Sequence, residues 1–547
     1  MADAAGGAAG PRTRARPRHR QTEADSDGRP LRAPLAVVAL VVVALGTFGA
    51  LPRWPGLPDL VAAPPLDFMT DLRVLLALAP GWVTFGIGLP AAVALRVVLL
   101  SWMLGGPDRA RLLFALRFYL VAAVPALVAA GLLYVASATL FAALFWAGAL
   151  VTLIVLLPLA ALPWMGRPGL WAAIRSVLRG PGRLSPLLGY LGALTLLSVV
   201  SDHVPPPVIL VLVPVSAALS WLTMSALASS GAPGSHPTTA TVARLAGTAL
   251  GLAALGGLAV LALLTLTAPG PAAAPAPAHP RAGSLLLVGG VDSRSGGGPL
   301  TLLDPHALGF TCAQVHYFSY VGPGGGAPQG QARCPIRTGA PYTATDTLRP
   351  AAMTVSAFEA QVRALPQPVT VVAHSLGGWI SWDAVSAGRA PGVTGVVLVG
   401  AYPAKDVGYP ATGSGPGTAG RGLLDLTAWL SRKAGFSVFD PAAPASADWL
   451  ADPARLRQVF DRPLPSGILG LGVFSMFDEP LMPDGPTLPH AQRACPVPEP
   501  HPALPYTAQF RDAVNRFLDG APEPHCPAWG TAVGPPLKHL TGPPTKG

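Results

Sequence analysis

Between residues 34 and 267 the chain repeats one pattern, apolar runs of about twenty residues separated by short loops. The runs cover about 34–51, 83–104, 113–135, 138–163, 184–201, 207–228 and 245–267. Roughly twenty apolar residues, wound as a helix, match the ~30 Å hydrocarbon layer of a bilayer. In lipid the backbone must satisfy its own polar groups, which leaves such runs no option but helix. The first half, 34–268, therefore reads as an all-α transmembrane bundle of about seven helices. Composition agrees: the chain is only 12% charged, against about 25% for ordinary soluble proteins.

Charge orients these runs. Residues 1–279 hold 18 Arg, no Lys and 9 acidic residues, whereas 280–547 hold 19 basic and 18 acidic ones. The excess positive charge belongs to the apolar half. It reads as loops facing an anionic membrane surface, and no nucleic-acid partner is expected. Residues 1–33 are polar and Arg-rich and read as a disordered cytoplasmic tail. The first run, 34–51, lacks a convincing small-residue cleavage site and reads as a retained anchor. With the tail inside, the inner loops carry Arg109, Arg111, Arg167, Arg175, Arg179, Arg183 and Arg244. The outer loops carry Arg53 and Arg73 with Asp59, Asp67, Asp71 and Asp202. This obeys the positive-inside rule, and seven crossings place everything after residue 268 outside. Within one inner loop, 170–179 reads as a short amphipathic helix on the membrane surface. No acidic residue falls inside a run, while Arg96 and Arg117 lie in runs and are expected to snorkel. The bundle thus reads as an anchor or lipid-facing platform, not a pump.

All four cysteines lie in the second half. An even set confined to one domain points to an oxidising compartment. Of the three possible pairings, chain order favours Cys312–Cys334 and Cys495–Cys526, each closing a short loop. Residues 269–282 form a stiff Pro/Ala linker, expected to hold the C-terminal domain a little off the membrane. From 283 to 530 short apolar strands alternate with helical stretches, the α/β pattern with a mostly parallel sheet. Strands are expected at 284–288, 313–320, 369–372, 395–400 and 468–474, and helices at 350–365 and 506–518. Residues 531–547 read as a second disordered tail.

One stretch in this domain carries chemistry. Val369-Thr370-Val371-Val372 leads through Ala373-His374-Ser375-Leu376-Gly377-Gly378 into a helix-like segment from Trp379. Strand, small-residue turn and helix are what a nucleophile elbow needs. Small residues two before and two after the serine, here Ala373 and Gly377, let strand and helix pack closely. Ala373 departs from the G-x-S-x-G form.

With AHSLGG, the glycine turn Gly289-Gly290 after the first strand, and the order serine, acid, histidine, residues 284–520 resemble the α/β-hydrolase superfamily, on its lipase and esterase side. The resemblance covers a little under half the chain. It implies a serine nucleophile, a histidine base, a carboxylate and an oxyanion hole. A serine hydroxyl is a poor nucleophile until an imidazole takes its proton, and that imidazole needs a carboxylate to fix its tautomer. On this resemblance Ser375 is the nucleophile. The acid is expected past the end of strand 468–474, at Asp478, with Glu479 and Asp484 as rivals. The base is expected just before the last helix, at His501, with His490 and His525 as rivals. The oxyanion donors fall on the amides of Leu376 and Val291, although many relatives have His-Gly at Gly289-Gly290. His374 reads as structural and His316 as a packing residue. An insert of roughly 60 residues between the strands at 400 and 468 carries Leu423–Leu430, read either as a lid or acyl-binding cap, which the resemblance places in that slot, or as a plain packing helix.

The expectation is a membrane-anchored, outward-facing serine hydrolase of lipid or acylated-envelope esters, in contact with the bilayer. No metal cluster, phosphate loop or dinucleotide fingerprint is present in the sequence, and no cofactor is expected. Two other readings remain open: a catalytically silent fold serving as a scaffold, and a transporter with an accessory outer domain.

Overall fold

The computed structural model describes residues 29–51, 56–139, 141–159, 181–229, 277, 279–401, 415–433, 440, 442–450, 458–475, 477–478, 491–522 and 526. The last apolar run, the 170–179 segment, most of the linker, both expected tails beyond residue 29 and residue 526, and Glu479, Asp484, His490 and His525 lie outside the described residues.

The first half is helical: α1 (Arg29–Thr47), α2 (Leu66–Leu78), α3 (Trp82–Met103), α4 (Arg109–Thr139), α5 (Ala142–Val155), α6 (Pro181–His203) and α7 (Pro206–Ser229). Three of these are long and apolar enough to cross a membrane, Trp82–Met103, Arg109–Thr139 and Pro206–Leu227. The apolar stretches of α1, α5 and α6 are shorter. α3 and α4 run antiparallel, so the junctions at 79–82 and 139–142 share one end of the bundle and Arg109 and Arg111 lie at the other.

Residues 56–78, expected as an outer loop, instead enter the bundle as the 3-10 turn Leu57–Val61 followed by α2. Asp67, Asp71 and Arg73 are therefore not loop charges in water. Arg96 does not snorkel. It is buried on α3 and makes two parallel 2.6 Å hydrogen bonds to Asp71, with its Nη1 3.0 Å from Leu60 O and 3.4 Å from Asp67 Oδ2. Tyr119 of α4 donates to Asp67 Oδ2 at 2.8 Å. One guanidinium thus serves two carboxylates, with the Tyr119 hydroxyl as a further donor, and such pairing and hydrogen bonding are what let ionised groups tolerate a dry interior. The irregular backbone between turn and helix is satisfied in the same way. Ala63 N–H donates to Tyr190 Oη at 2.5 Å, and Ser220 Oγ donates to Val61 O at 2.8 Å. Non-helical backbone at this depth is tolerated only where protein groups surround it. Arg117, by contrast, is exposed.

The second half is built on a six-stranded sheet of β1 (Ser284–Val288), β2 (Val315–Tyr317), β3 (Val369–His374), β4 (Val393–Val399), β5 (Leu469–Val473) and β6 (Ala491–Arg493). Every pair is parallel, in the order β2-β1-β3-β4-β5-β6. Strands covered on both faces read as continuous apolar runs, and all of β1 and β3 is buried. One face carries α8 (Ala351–Arg363), α9 (Leu376–Ser386) and α11 (Pro444–Leu450), with Leu286, Val371 and Leu398 pointing toward them, while α10 (Thr418–Lys433) packs on α2, α3 and α4 of the first half. The other packs Leu285, Val372 and Val397 against Phe510, Val514 and Phe517 of α12 (Ala508–Leu518). Disulfides join Cys312 to Cys334 and Cys495 to Cys526, each with Cα atoms 5.2 Å apart.

The sheet domain does not stand off from the helices. Leu76, Ala79, Phe85, Tyr134, Val135 and Ala138 of the first half belong to the same buried apolar cluster as Leu376, Trp379, Ala419 and Leu424 of the second. Burial of apolar surface between the two halves overrides whatever spacing the Pro/Ala segment favours.

Candidate active site

Strand order reverses between β1 and β3, so the loops after these strands leave the sheet in opposite directions. In open α/β sheets that switch point makes a crevice beyond the carboxyl ends of the strands. Register brings the relevant loops level there: Val288 pairs with Ala373, His374 with Val399, and Val399 with Val473. Gly289-Gly290, Ser375, Gly400 and Phe474 therefore follow their strands at one edge.

Ser375 connects β3 to α9 with no loop between them. Its backbone sits at φ 53°, ψ −126°, a region non-glycine residues enter only when the surroundings enforce it. Two hydrogen bonds do so: Ser375 N–H donates to Val399 O at 2.9 Å, and Gly378 N–H donates to Ser375 O at 2.8 Å. The neighbouring glycines are required by contact. A Cβ on Gly377 would lie 2.6 Å from Val288 O and Gly289 O, and one on Gly290 would lie 2.7 Å from Ser375 Cβ. The β1 loop thus touches the serine directly.

Asp478 lies five residues past β5, and its side chain is only 2% exposed. His501 opens the 3-10 turn that precedes α12. Its Nδ1 is hydrogen-bonded to Asp478 Oδ2. A carboxylate can only accept, so the neutral ring donates from Nδ1 and keeps Nε2 as an acceptor. The ring rests against the end of β4, where a Cβ on Gly400 would be 2.7 Å from both Cε1 and Nδ1. The structure thus brings Asp478 and His501 together and sets Ser375 on the adjoining turn. Among the described residues no hydrogen bond joins Ser375 Oγ to the His501 ring.

Leu376 is the first residue of α9, where a helix offers its N–H no internal acceptor. Val291 follows Gly290 and precedes Asp292, which has φ 64° and whose N–H donates to Thr347 Oγ1 at 3.2 Å. Tyr320 Oη donates to Gly289 O at 2.7 Å and pins the start of that loop.

Two further side chains support this arrangement, His374, read from the sequence as structural, and Trp146, which sequence reasoning missed. His374 is buried under the elbow, with its ring centroid 4.5 Å from that of His501. Its Nε2 lies 3.1 Å from His501 O, and a carbonyl can only accept, so Nε2 carries the proton. Nδ1 is buried without a partner. Burial, and then the neighbouring His501, push the His374 pKa down to about 3. The ring stays neutral and props the base from behind. The second is Trp146 of α5, whose Nε1–H donates to Phe477 O at 3.0 Å, one residue before the acid. The adjacency of His374 to Ser375 was readable in the sequence. Nothing could flag Trp146, which lies 331 residues from its partner.

Comparison with known proteins finds no match to a family model, a curated protein or a solved structure.

Proposed function

We propose that this chain is a membrane-anchored serine hydrolase with an α/β-hydrolase domain, cleaving carboxylic esters of a lipid or acylated envelope component outside the cell. The observation that carries this reading is the Asp478–His501 pair beside a serine held at positive φ.

The chemistry follows from the donors and acceptors. Nε2 of His501 takes the proton of Ser375 as Oγ attacks the ester carbonyl. The imidazolium that forms is stabilised by Asp478 through Nδ1. The amides of Leu376 and Val291 are the donors for the developing oxyanion, typically the largest catalytic contribution. His501 then passes its proton to the leaving alcohol, and water attacks the acyl-enzyme by the reverse route. Catalytic hydrogen bonds are often long before the reacting complex forms, which accommodates the unbonded Ser375 hydroxyl.

The multi-pass topology belongs to the same proposal. On this reading six apolar helices and the 245–267 run of the sequence make seven crossings, with the N-terminus in the cytoplasm and the disulfide-bonded domain outside. That this domain sits at the 79–82 and 139–142 end, away from Arg109 and Arg111, supports this sidedness. One observation favours the silent-scaffold reading, the missing bond between Ser375 and His501. A single experiment separates the two. The full-length protein in detergent is treated with a fluorophosphonate probe and a short-chain p-nitrophenyl ester. Labelling and turnover, both lost in Ser375→Ala, are expected. Neither in the wild type would leave the scaffold.

A further inference from the structure

Helix α10 lies between the two halves of the molecule, and its sides meet different surroundings. Leu424 and Ala428 are buried, Leu424 within the apolar cluster that both halves share. A second stripe meets the helical region over the first turns. Ala419 N–H donates to Ala79 O at 3.4 Å. A Cβ on Gly422 would lie 2.6 Å from Trp82 Nε1, and Leu423 Cδ2 would be 3.5 Å from a Cβ on Gly131 of α4. Continued at helical spacing, that second stripe runs from 419, 422 and 423 to Leu426, Trp429 and Leu430. Those three are 47%, 49% and 52% exposed. The side of α10 that rests on the bundle therefore continues past the bundle's edge, still apolar and, among the described residues, uncovered.

The surroundings of that edge are readable from the neighbouring helix. Trp82 and Val83 open α3, and Ile87, Leu95 and Val98 continue an exposed apolar face along it. On a helix long enough to cross a bilayer this is the lipid-facing side. Trp82 touches α10, so the overhanging stripe is continuous with that face at its outermost turn. Tryptophan at this level is typical of a membrane–water boundary. Arg432 and Lys433 close α10 and are both exposed, as basic residues on an interfacial helix are.

We propose that α10 lies in the interfacial layer of the outer leaflet, with Leu426, Trp429 and Leu430 among the acyl chains. The partner is the phospholipid surface itself, and the helix is a fixed bridge between bilayer and sheet domain. Leu423 and Leu424 join the apolar cluster that reaches Leu376, next to Ser375. Resting on the proposed hydrolase reading, this makes the substrate an amphiphilic ester that enters from the leaflet and need not pass through water.

All four native cysteines are paired, so a single added cysteine can be labelled alone. Leu426→Cys and Leu430→Cys, carrying an environment-sensitive nitrobenzoxadiazole dye, would be compared with Leu469→Cys, exposed at the amino end of β5. The full chain would be reconstituted in phosphatidylcholine/phosphatidylglycerol nanodiscs with and without brominated acyl chains. Blue-shifted emission and loss of fluorescence to bromine at 426 and 430, with neither at 469, are expected. Dye at 426 and 430 that is reached by aqueous iodide as readily as at 469 overturns the proposal. So does dye shielded from both quenchers, which would mean that protein, a second copy included, covers the stripe. The substrate clause has its own readout. Leu426→Ser/Leu430→Ser should retain fluorophosphonate labelling and short-ester turnover while losing turnover of a long-chain ester embedded in the disc. Equal loss on both esters refutes delivery from the leaflet. Absent labelling in the wild type would sink the hydrolase reading and leave the quenching result standing.

Discussion

The neutrality of His374 has a measurable cost at low pH. In the unfolded chain its imidazole titrates near the ordinary value of 6.5, and in the folded chain near 3. Below pH 6.5 the unfolded state therefore binds a proton that the folded state refuses. The resulting stabilisation of the fold is complete above pH 6.5 and is lost as the pH falls toward 3. At about 1.36 kcal/mol per pH unit, the loss is roughly 1.4 kcal/mol at pH 5.5 and roughly 2.7 kcal/mol at pH 4.5. The structural cause is specific. Nε2 is committed to His501 O, and a proton on Nδ1 would meet no acceptor. His374→Gln isolates the effect, since a glutamine amide nitrogen can replace the Nε2 donor without titrating. Urea denaturation of the full chain in mild detergent, followed by tryptophan fluorescence at pH 7.5, 5.5 and 4.5, would measure it. The wild type should lose about 2–3 kcal/mol more than His374→Gln over that range. If the two lose stability in parallel, His374 is not held neutral and the support it gives His501 is misread.

Three further perturbations test the site and its foundations. Gly400→Ala adds a methyl at φ 56°, 2.7 Å from the His501 ring; displacing the imidazole by about an ångström should cut ester turnover roughly 10²-fold. Unchanged turnover would mean that the ring is not the base or does not lie there. Trp146→Phe keeps the aromatic contact but removes the donor to Phe477 O; turnover should fall and its pH profile shift, while the melting temperature changes little. A normal profile would deny α5 any part in placing Asp478. Cys495→Ser/Cys526→Ser opens a loop of 31 residues, and the chain-entropy model gives a loss of about 3–4 kcal/mol. Denaturation that is insensitive to both the substitution and reductant would contradict the pairing.

How much could be read from sequence depended on how local the determinant was. The serine turn was legible because strand, small residues and helix are adjacent in the chain. β1 was legible to the residue because it is central and wholly buried. β2 was expected over 313–320 but pairs only at Val315–Tyr317, since an edge strand has one neighbour to hold it. β6, Ala491–Arg493, gave no apolar signal and exists through its pairing with β5. Asp478 and His501 could be nominated only from chain order, because their meeting depends on register across the β3–β5 strands and on a long connection. The disulfide pairing followed from loop length.

The largest misreading concerns the bundle, and its physics bears on the role of the first half. Hydropathy treats each charge as a separate penalty, so Asp59, Asp67, Asp71 and Arg73 push residues 56–78 out of the membrane when the sequence is taken alone. In the structure the penalty is shared: Arg96, twenty-five residues from Asp71, neutralises it through two hydrogen bonds and reaches Asp67 as well. Breaking one partner of such a pair typically costs about 3–5 kcal/mol, far more than keeping both. Residues 57–78 and α3 therefore stand or fall together. α2 ends at Leu78, and Ala79, just beyond it, accepts the amide of Ala419 at the start of α10. The buried charges thus fix the platform on which α10 rests. The paired acidic residues inside the bundle also remove the sequence-based ground for excluding transport, which relied on their absence. Asp67 and Asp71 are both held by Arg96, so neither is free to bind or release an ion unless that network first opens.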